Sequence, residues 1–558
     1  MLKDEVIKIL QSVGIRTNKE VLEVPPKEEF GDIAFPCFSL SKQEHKNPQE
    51  IAEELIKKIR ISKNPLIIKT EARGGYVNFF FYWEKVAETI LSRILSKEKI
   101  TFGKNKPMMV EFAHPNTHKS FHIGHFRNIS LGESLCRILE FTGYKVIRTN
   151  YQGDIGPHVA KCLWGYKNLF ENKAPKQDRG EWLGKVYVEA NKKITGNEQL
   201  EKEIDEINKK IYAKDPSLNK LWKTTRRWSL DYFSKIYKEL GVEFNKLYFE
   251  SEVEKRGVEI SQEALKKNIA KLSNEAIVVD LEKYGLGTTV LVTKLGTPLY
   301  MAKDLGLAEK EFTNFKVDKC IHVVGSEQDL YFKQLFKIFE LINSPAAKKS
   351  QHLSYGLVML KEGKMSSREG NVVLYSELRD KIVEKTLEEV AKRNPKLSKR
   401  TKVSLAKKIA LGAMKYAMIK IAPENTIIFD WEDALKLEGN TGSYLQYAHT
   451  RCLGILKKSK KHQSILSSKL SPYEKHLIKV LMNFYGVAVN AAKDNRPNFI
   501  CNYAYELATT FNNFYQNCPV LKANDPRQRD FRLTLVTATK IVLENSLKLL
   551  GIKVPERM

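Results

Sequence analysis

The stretch Met108 to Arg127, MMVEFAHPNTHKSFHIGHFR, constrains this chain more than any other. Met108–Ala113 reads as a short buried strand, and Pro115, Asn116, Thr117, His118 and Lys119 make a polar turn after it. From Gly124 onward apolar residues recur at helical spacing (Ile129, Leu131, Leu135, Ile138, Leu139), and Gly143 stands where such a helix ends. Tyr144–Thr149 is strand-like again. A strand, helix and strand in this order form a βαβ unit whose loop lies at the carboxyl edge of a parallel sheet, where ligands commonly bind. His122, Ile123, Gly124 and His125 fall at the mouth of the helix. Unpaired N–H groups and the positive end of the dipole favour an anion there. Two imidazoles can donate to phosphate oxygens, and a glycine between them lets a flat base approach the backbone. Taken alone, the same pattern also describes a pair of surface histidines or half of a zinc site.

Around this unit the pattern changes along the chain. Residues 1–100 alternate helical stretches (Leu2–Val13, Pro48–Ile59, Trp83–Leu95) with strand-like ones (Leu66–Thr70, Tyr76–Phe81), an α+β arrangement. Thr101–Pro107 is a linker, and a sheet domain of the α/β Rossmann type is expected over 105–375. Residues 165–225 look inserted into it, being charged, helical and poor in strand signal. Tyr300 and Asp304 share one face of a helix. Lys319–Val324 is a strand, and Gly325-Ser326-Glu327-Gln328-Asp329 opens the next helix. His352–Lys361 is the last strand region, followed by the polar loop Lys364-Met365-Ser366-Ser367-Arg368. From 376 to 558 the period is helical throughout, which predicts an all-α bundle.

At 558 residues the chain is long enough for several cores. Its net charge of +27 points to a polyanionic partner, nucleic acid first. The seven cysteines are far apart and form no CxxC, so neither a zinc knuckle nor a disulfide framework is indicated. MLKDEVIKILQSVG is charged and amphipathic rather than a signal peptide, and no apolar run approaches the roughly 18 residues of a membrane span. A cytoplasmic, monomeric protein is expected, with no structural metal.

HIGH at 122–125 together with KMSSR at 364–368 resembles the paired signatures of class I aminoacyl-tRNA synthetases. The flanking pattern EF-x-x-PN-x-x-K-x-FHIGHFRN is similar to the arginyl-tRNA synthetase form, and most of the chain can be laid onto that family. The resemblance implies an N-terminal domain that contacts the tRNA elbow, with Asn78 in its closing hairpin as a base-reading residue. It also implies a C-terminal anticodon-binding bundle, where Tyr447, Tyr515 and Met558 are the platforms for bases. The implied activity is that of an arginine–tRNA ligase. L-arginine and ATP, carried with Mg²⁺, give arginyl-adenylate and diphosphate, and arginine then passes to the 3′ end of tRNA(Arg) with release of AMP.

Under that reading His122 and His125 stabilise the α-phosphate, Gly124 lies beneath the nucleoside, and His352 and Gly356 sit near adenine. Lys364, Met365, Ser366, Ser367 and Arg368 close on the triphosphate. A guanidinium carries five donors and a fixed charge, so its pocket needs carboxylates. Glu111 and Asp304 supply them and Tyr300 a flat wall, while Asn116 and Gln328 suit the α-amino and carboxylate ends. The common loop of the class is K-M-S-K-S. Here Ser367 replaces its second lysine, and Lys119, just before HIGH, stands where the family keeps a compensating cation. Three alternatives compete. A glutamyl- or glutaminyl-type enzyme would not need Glu111 and Asp304 together. A small nucleotidyltransferase would not need so large a basic helical domain. A non-catalytic RNA-binding paralogue would be free to lose HIGH, Lys119 and KMSSR.

Overall fold

The structure, a computed structural model, describes residues 1–61, 64–360, 373–459, 464–466 and 469–558. Its contacts divide it into two compact units. One gathers Met1–Glu98, Arg451–Phe484 and Glu506–Leu543, and the other Lys99–Thr450, Tyr485–Tyr505 and Glu544–Met558. Among the described residues no helix is long and apolar enough to cross a membrane.

In the first unit Tyr76–Phe81 is the central strand of an antiparallel sheet, flanked by Ile33–Pro36 and Ile67–Arg73. Val77, Phe79 and Phe81 are buried at alternate positions, the period of a strand with one face in a core. Helices Leu2–Ser12, Pro48–Lys58 and Trp83–Leu95 form where the apolar spacing places them. The chain-distant segment of this unit is held by charge. Lys475 and Lys479 pair with Glu28 at 3.3 and 2.8 Å and lie 5.2 and 5.1 Å from the Trp83 ring.

The second unit contains the βαβ unit. Its elements are β1 (Pro107–Glu111), α1 (Ile123–Phe141), β2 (Lys145–Gln152), α2 (Pro216–Leu240), β3 (Lys246–Phe249), α3 (Glu250–Lys266), α4 (Tyr300–Asn314), β4 (Lys319–Gly325), α5 (Asp329–Leu341) and β5 (Ser350–Tyr355). The strands run in the order β5-β4-β1-β2-β3, every pair parallel. The chain leaves β1 toward β2 and leaves β4 toward β5. The sheet therefore changes direction between β1 and β4, and a crevice opens at their carboxyl ends. The stretch 165–225, expected as an insertion, falls on helices Pro157–Asn168, Arg179–Ile194 and Glu198–Tyr212 and the start of α2, and Leu163, Trp164, Ile194 and Ile204 share one apolar cluster there. A small antiparallel sheet (Lys271–Ser273, Ala276–Asp280, Thr288–Val292) lies between α3 and α4 in sequence.

One strand lies inside the region expected to be helical throughout. Ile427–Phe429 pairs parallel with Val358–Leu360. Three residues are too few for a period to register in the sequence. Arg127, 1% exposed, fastens this place: its guanidinium donates to the carbonyls of Leu357, Pro423 and Asn425 at 2.8, 2.9 and 2.8 Å. Gly356 has no room for a side chain, because a Cβ would stand 2.6 Å from the Asn425 carbonyl carbon. Arg127→Met would leave the Asn425 carbonyl without its charged donor and strip the carbonyls of Leu357 and Pro423 of their second one, at a local cost on the order of 3 kcal/mol. The expected result is an amide-exchange rate about 100-fold higher at Gly356 and Ile427, whose N–H groups bond to Pro423 and Leu357. Unchanged protection there would show that the backbone ladder alone holds the segment.

Candidate active site

The turn between β1 and α1 is strained and tightly held. Ala113, His114 and His118 all take left-handed backbone angles, with φ of 84°, 51° and 62°. Non-glycine residues hold such conformations only where their surroundings over-determine them. Here the Ala113 N–H donates to Asn128 Oδ1 at 2.6 Å, the His114 N–H to Asn150 Oδ1 at 3.1 Å, and the Thr117 N–H to the Gly153 carbonyl at 2.9 Å. The His118 N–H donates to Ser229 Oγ on α2 at 2.9 Å, and its ring lies 2.8 Å from Thr225 Oγ1. Burial pushes His118 down to about 3, so the ring is a neutral strut. Gly153 comes so close that a Cβ would meet Asn116 Oδ1 at 2.3 Å. The result is a rigid platform that presents Asn116 and Lys119.

His122 and His125 cap α1 with their own rings. The Gly124 N–H donates to His122 Nδ1 at 3.1 Å, and the His122 N–H donates to His125 Nδ1 at 3.2 Å. This is a capping box built from imidazoles. Each Nδ1 accepts, so each neutral ring carries its proton on Nε2, and the two rings lie 3.8 Å apart. Burial, reinforced by Lys119, lowers His122 to about 4; burial, reinforced by His122 and Lys119, lowers His125 well below the ordinary range. The pair are therefore neutral N–H donors above pH 5. A cavity of about 630 Å³ lies over them, lined also by Asn116, Lys119, Lys185 and Tyr187. The Lys119 ammonium is 5.0 Å from the Tyr187 ring centre.

A second cavity, about 510 Å³, occupies the crevice at the switch point and shares Asn116 with the first. Glu111, Asn116, Tyr300, Asp304 and Gln328 all line it. Glu111 ends β1, and its Oε1 lies 3.0 Å from His322 Nδ1 on the neighbouring strand. Burial would raise Glu111, but the hydrogen bond and attraction from His322 overcome it, and the carboxyl is held below its usual range. Asp304 accepts from the Tyr331 hydroxyl at 2.5 Å. Burial pushes Asp304 up to about 7, and the nearby charges of Glu111 and Glu250 add to the rise against the Tyr331 bond. Among the described residues the lining of this cavity holds carboxylates and no lysine or arginine, and Lys303 on α4 is paired with Glu250 at 2.6 Å.

The family description "tRNA synthetases class I (R), catalytic domain" matches residues 88–431, more than half of the chain. The chain belongs to the arginyl-tRNA synthetases. "Arginyl tRNA synthetase N terminal domain" matches residues 1–81 and "DALR anticodon binding domain" residues 445–558. Among curated relatives, the arginine–tRNA ligase of Clostridioides difficile is 36% identical over 551 residues, covering 96% of this chain and 95% of that protein. That of Clostridium perfringens is 35% identical over 564 residues, covering 99% of each. Among solved structures, the arginyl-tRNA synthetase of Thermus thermophilus superposes with a TM-score of 0.82 at 26% identity, covering 100% of this chain and 99% of that one.

Neither His352 nor Gly356, both expected near adenine in an arginyl-tRNA synthetase, lines either of these two cavities. His352, on β5, stacks on Phe332 with ring centres 4.3 Å apart, and its Nε2 lies 3.0 Å from the Val324 carbonyl. Gly356 is packed against the backbone of Asn425 and Thr426. Lys364, Met365, Ser366, Ser367 and Arg368 lie outside the described residues. Asn78 is buried on the central strand of the first unit, opposite Ala34 and Glu71. Tyr447 and Met558 line one cavity of about 490 Å³ with Arg393, Lys436 and Leu437. Tyr515 belongs to the first unit, 39% exposed and stacked on Phe511. Sequence reasoning passed over Glu250, Glu311, His322 and Tyr331, which line the crevice as closely as the five it named. Glu250 alone had a signal, as the first helical residue after a strand at the sheet's carboxyl edge.

Proposed function

We propose that the chain charges tRNA(Arg) with L-arginine in two steps at this crevice, acting as a cytoplasmic monomer with Mg²⁺ entering as the ATP complex. The observation that carries the reading is the anionic cavity that adjoins the histidine-capped helix through Asn116. The guanidinium sits between Glu111 and Asp304 against Tyr300, and Asn116 and Gln328 hold the α-amino and carboxylate ends. This directs the arginine carboxylate toward the α-phosphorus of ATP over the N-terminus of α1. His122 and His125 donate Nε2–H to the phosphate oxygens as charge develops, and Lys119 adds a full positive charge. Both steps depend on alignment and charge neutralisation rather than covalent help from the protein. His352, Gly356 and the 364–368 loop complete the nucleotide site. Asn78, Tyr447, Tyr515 and Met558 are the tRNA-reading positions, supported by the family and by the net charge of +27.

Diphosphate exchange into ATP, run with each amino acid in the presence and absence of tRNA, tests the reading. Arginine alone is expected to support exchange. Equal rates with lysine or glutamine would overturn it.

The site's titration gives a second check. Asp304 stands at about 7, far above an ordinary aspartate, so it is a carboxylate above that pH and neutral below it. A guanidinium needs the carboxylate, so the arginine KM is expected to be flat above about pH 8 and to climb toward tenfold per pH unit below 7. His122, lowered to about 4, does not titrate in this window. An arginine KM that stays level from pH 8 to 5.5 would remove Asp304 from the binding site.

A further inference from the structure

Beneath the crevice, one rung of the sheet runs through Thr149, Glu111, His322 and His352 on β2, β1, β4 and β5. Residues at one level of a parallel sheet point to the same face, so Thr149, Glu111 and His322 form a polar row on the cavity floor. Helix α4 covers that row. It carries Asp304 and, two turns further on the same face, Glu311, which is completely buried. Both Glu111 and Glu311 line the cavity. Each carboxyl has one oxygen with a donor: Glu111 Oε1 with His322 Nδ1 at 3.0 Å, and Glu311 Oε1 with Thr149 Oγ1 at 3.4 Å. Each has a second buried oxygen, Oε2, that finds none. Each carboxyl thus brings a buried oxygen without a donor to the same cavity, and the two groups act on each other's proton affinity.

Two buried acceptors that face one another are satisfied only if one carries a proton. The groups around Glu311 decide which. Glu111 faces it from β1, Thr149 from β2, Tyr248 from β3, Cys320 from β4 and Asp304 from its own helix, while His114 and His322 lie against Glu111. The one ring bonded to the pair is His322, and it is bonded to Glu111. Burial and the charge of Glu111 raise Glu311 well above the carboxylate range, whereas His322 keeps Glu111 below it.

We propose that Glu311 is a neutral acid that positions Glu111 for arginine: its O–H donates to Glu111 Oε2 and holds that carboxylate, with its charge undivided, at the floor of the guanidinium pocket. The inference rests on the arginine reading above. A carboxylate offers about four lone-pair sites, so after His322 and Glu311 are served Glu111 keeps two for the substrate. A second ionised acid in the same place would call for a second cation that a single guanidinium does not bring. Glu311 touches Glu111 rather than the substrate, and so acts on arginine affinity and not on the chemical step.

The test compares Glu311→Gln with Glu311→Leu in the full chain at pH 7.5, by calorimetric titration with arginine and by steady-state kinetics. The glutamine amide can donate as the acid does, so its arginine Kd and KM are expected within about threefold of wild type. Leucine removes a hydrogen bond to a charged group, and both constants are expected to rise roughly 10- to 100-fold with the ATP KM and kcat unmoved. Equal damage from glutamine and leucine would overturn the proposal, since Glu311 would then act as an anion. Wild-type constants in both variants would overturn it too. If the leucine variant does not fold, infrared spectra decide. Wild type at pH 8 should show the carbonyl stretch of a buried protonated carboxylic acid that Glu311→Gln lacks, and its absence from wild type would refute the proton. Failure of the arginine reading looks different: wild type would then not bind arginine at all, while the infrared band would still report on Glu311.

Discussion

Replacing Asp304 by alanine is expected to raise the arginine KM by about 30-fold to several thousand-fold while the ATP KM hardly changes. Truncating one partner of a buried, hydrogen-bonded charge pair costs about 2–5 kcal/mol, and each 1.4 kcal/mol is a factor of ten. The loss is concentrated on arginine because Asp304 stands in the crevice cavity and not in the one over His122 and His125. Measuring at pH 8, above its titration near 7, keeps protonation out of the comparison. Asp304→Asn, which keeps a partner for Tyr331 but no charge, is expected to lose nearly as much. Stability should move the other way. With its carboxyl raised above the ordinary value, folded Asp304 binds a proton more tightly than the unfolded chain, and its contribution to stability falls as pH rises from about 4 through 7. Removing it relieves crowding with Glu111 and Glu250, so the thermal midpoint at pH 8 should hold or increase. An arginine KM within threefold of wild type would take Asp304 out of substrate recognition.

The other large effect is expected at Lys119. The stretch 364–368 carries Ser367 where the class has a second lysine, so under the proposed function one positive charge fewer is available for the triphosphate. Lys119 follows the strained turn, opens onto the same cavity as His122 and His125, and rests its ammonium over Tyr187 at 5.0 Å. An ammonium on an aromatic face gains about 0.5–1 kcal/mol from it at an accessible site. The proposed function has Lys119 contact the α-phosphate or the leaving diphosphate more strongly as charge builds, and such interactions raise kcat rather than lower KM. Lys119→Ala is therefore expected to cut kcat by about 10²–10³-fold with the arginine and ATP KM values nearly unchanged. Lys119→Arg should recover only part, because a planar fork does not replace a point charge. A kcat within threefold of wild type in the alanine enzyme would transfer the role to Lys364 or Arg368.

Much of the crevice was legible in the sequence because its residues sit where short-range patterns put them. Glu111 ends a strand, Tyr300 and Asp304 are a turn apart on one helix face, and Gln328 opens a helix after a strand. What was not legible depends on register. His322 meets Glu111 only because β4 pairs with β1 so that the two are opposite, and Glu311 reaches them because α4 lies over that pair. Neither fact has a local signature. The role of His118 was hidden for a similar reason, since its partners Thr225 and Ser229 come from α2. The compact units were equally out of reach, because Met1–Glu98 gathers with residues beyond 450 through pairs such as Glu28 with Lys479.

The imidazole capping box bears on which mutations the signature can absorb. Each ring turns Nδ1 to the backbone of α1, and the proposed function gives Nε2 its duty in the cavity that both rings line. A histidine codon is one base change from asparagine and from glutamine. Asparagine has a side-chain amide near the place of Nδ1, and could still cap the helix while presenting nothing outward. Glutamine reaches near the place of Nε2, and could face the cavity while leaving the helix end unmade. Neither of these two amide neighbours does both jobs, so neither can stand in for His122 or His125.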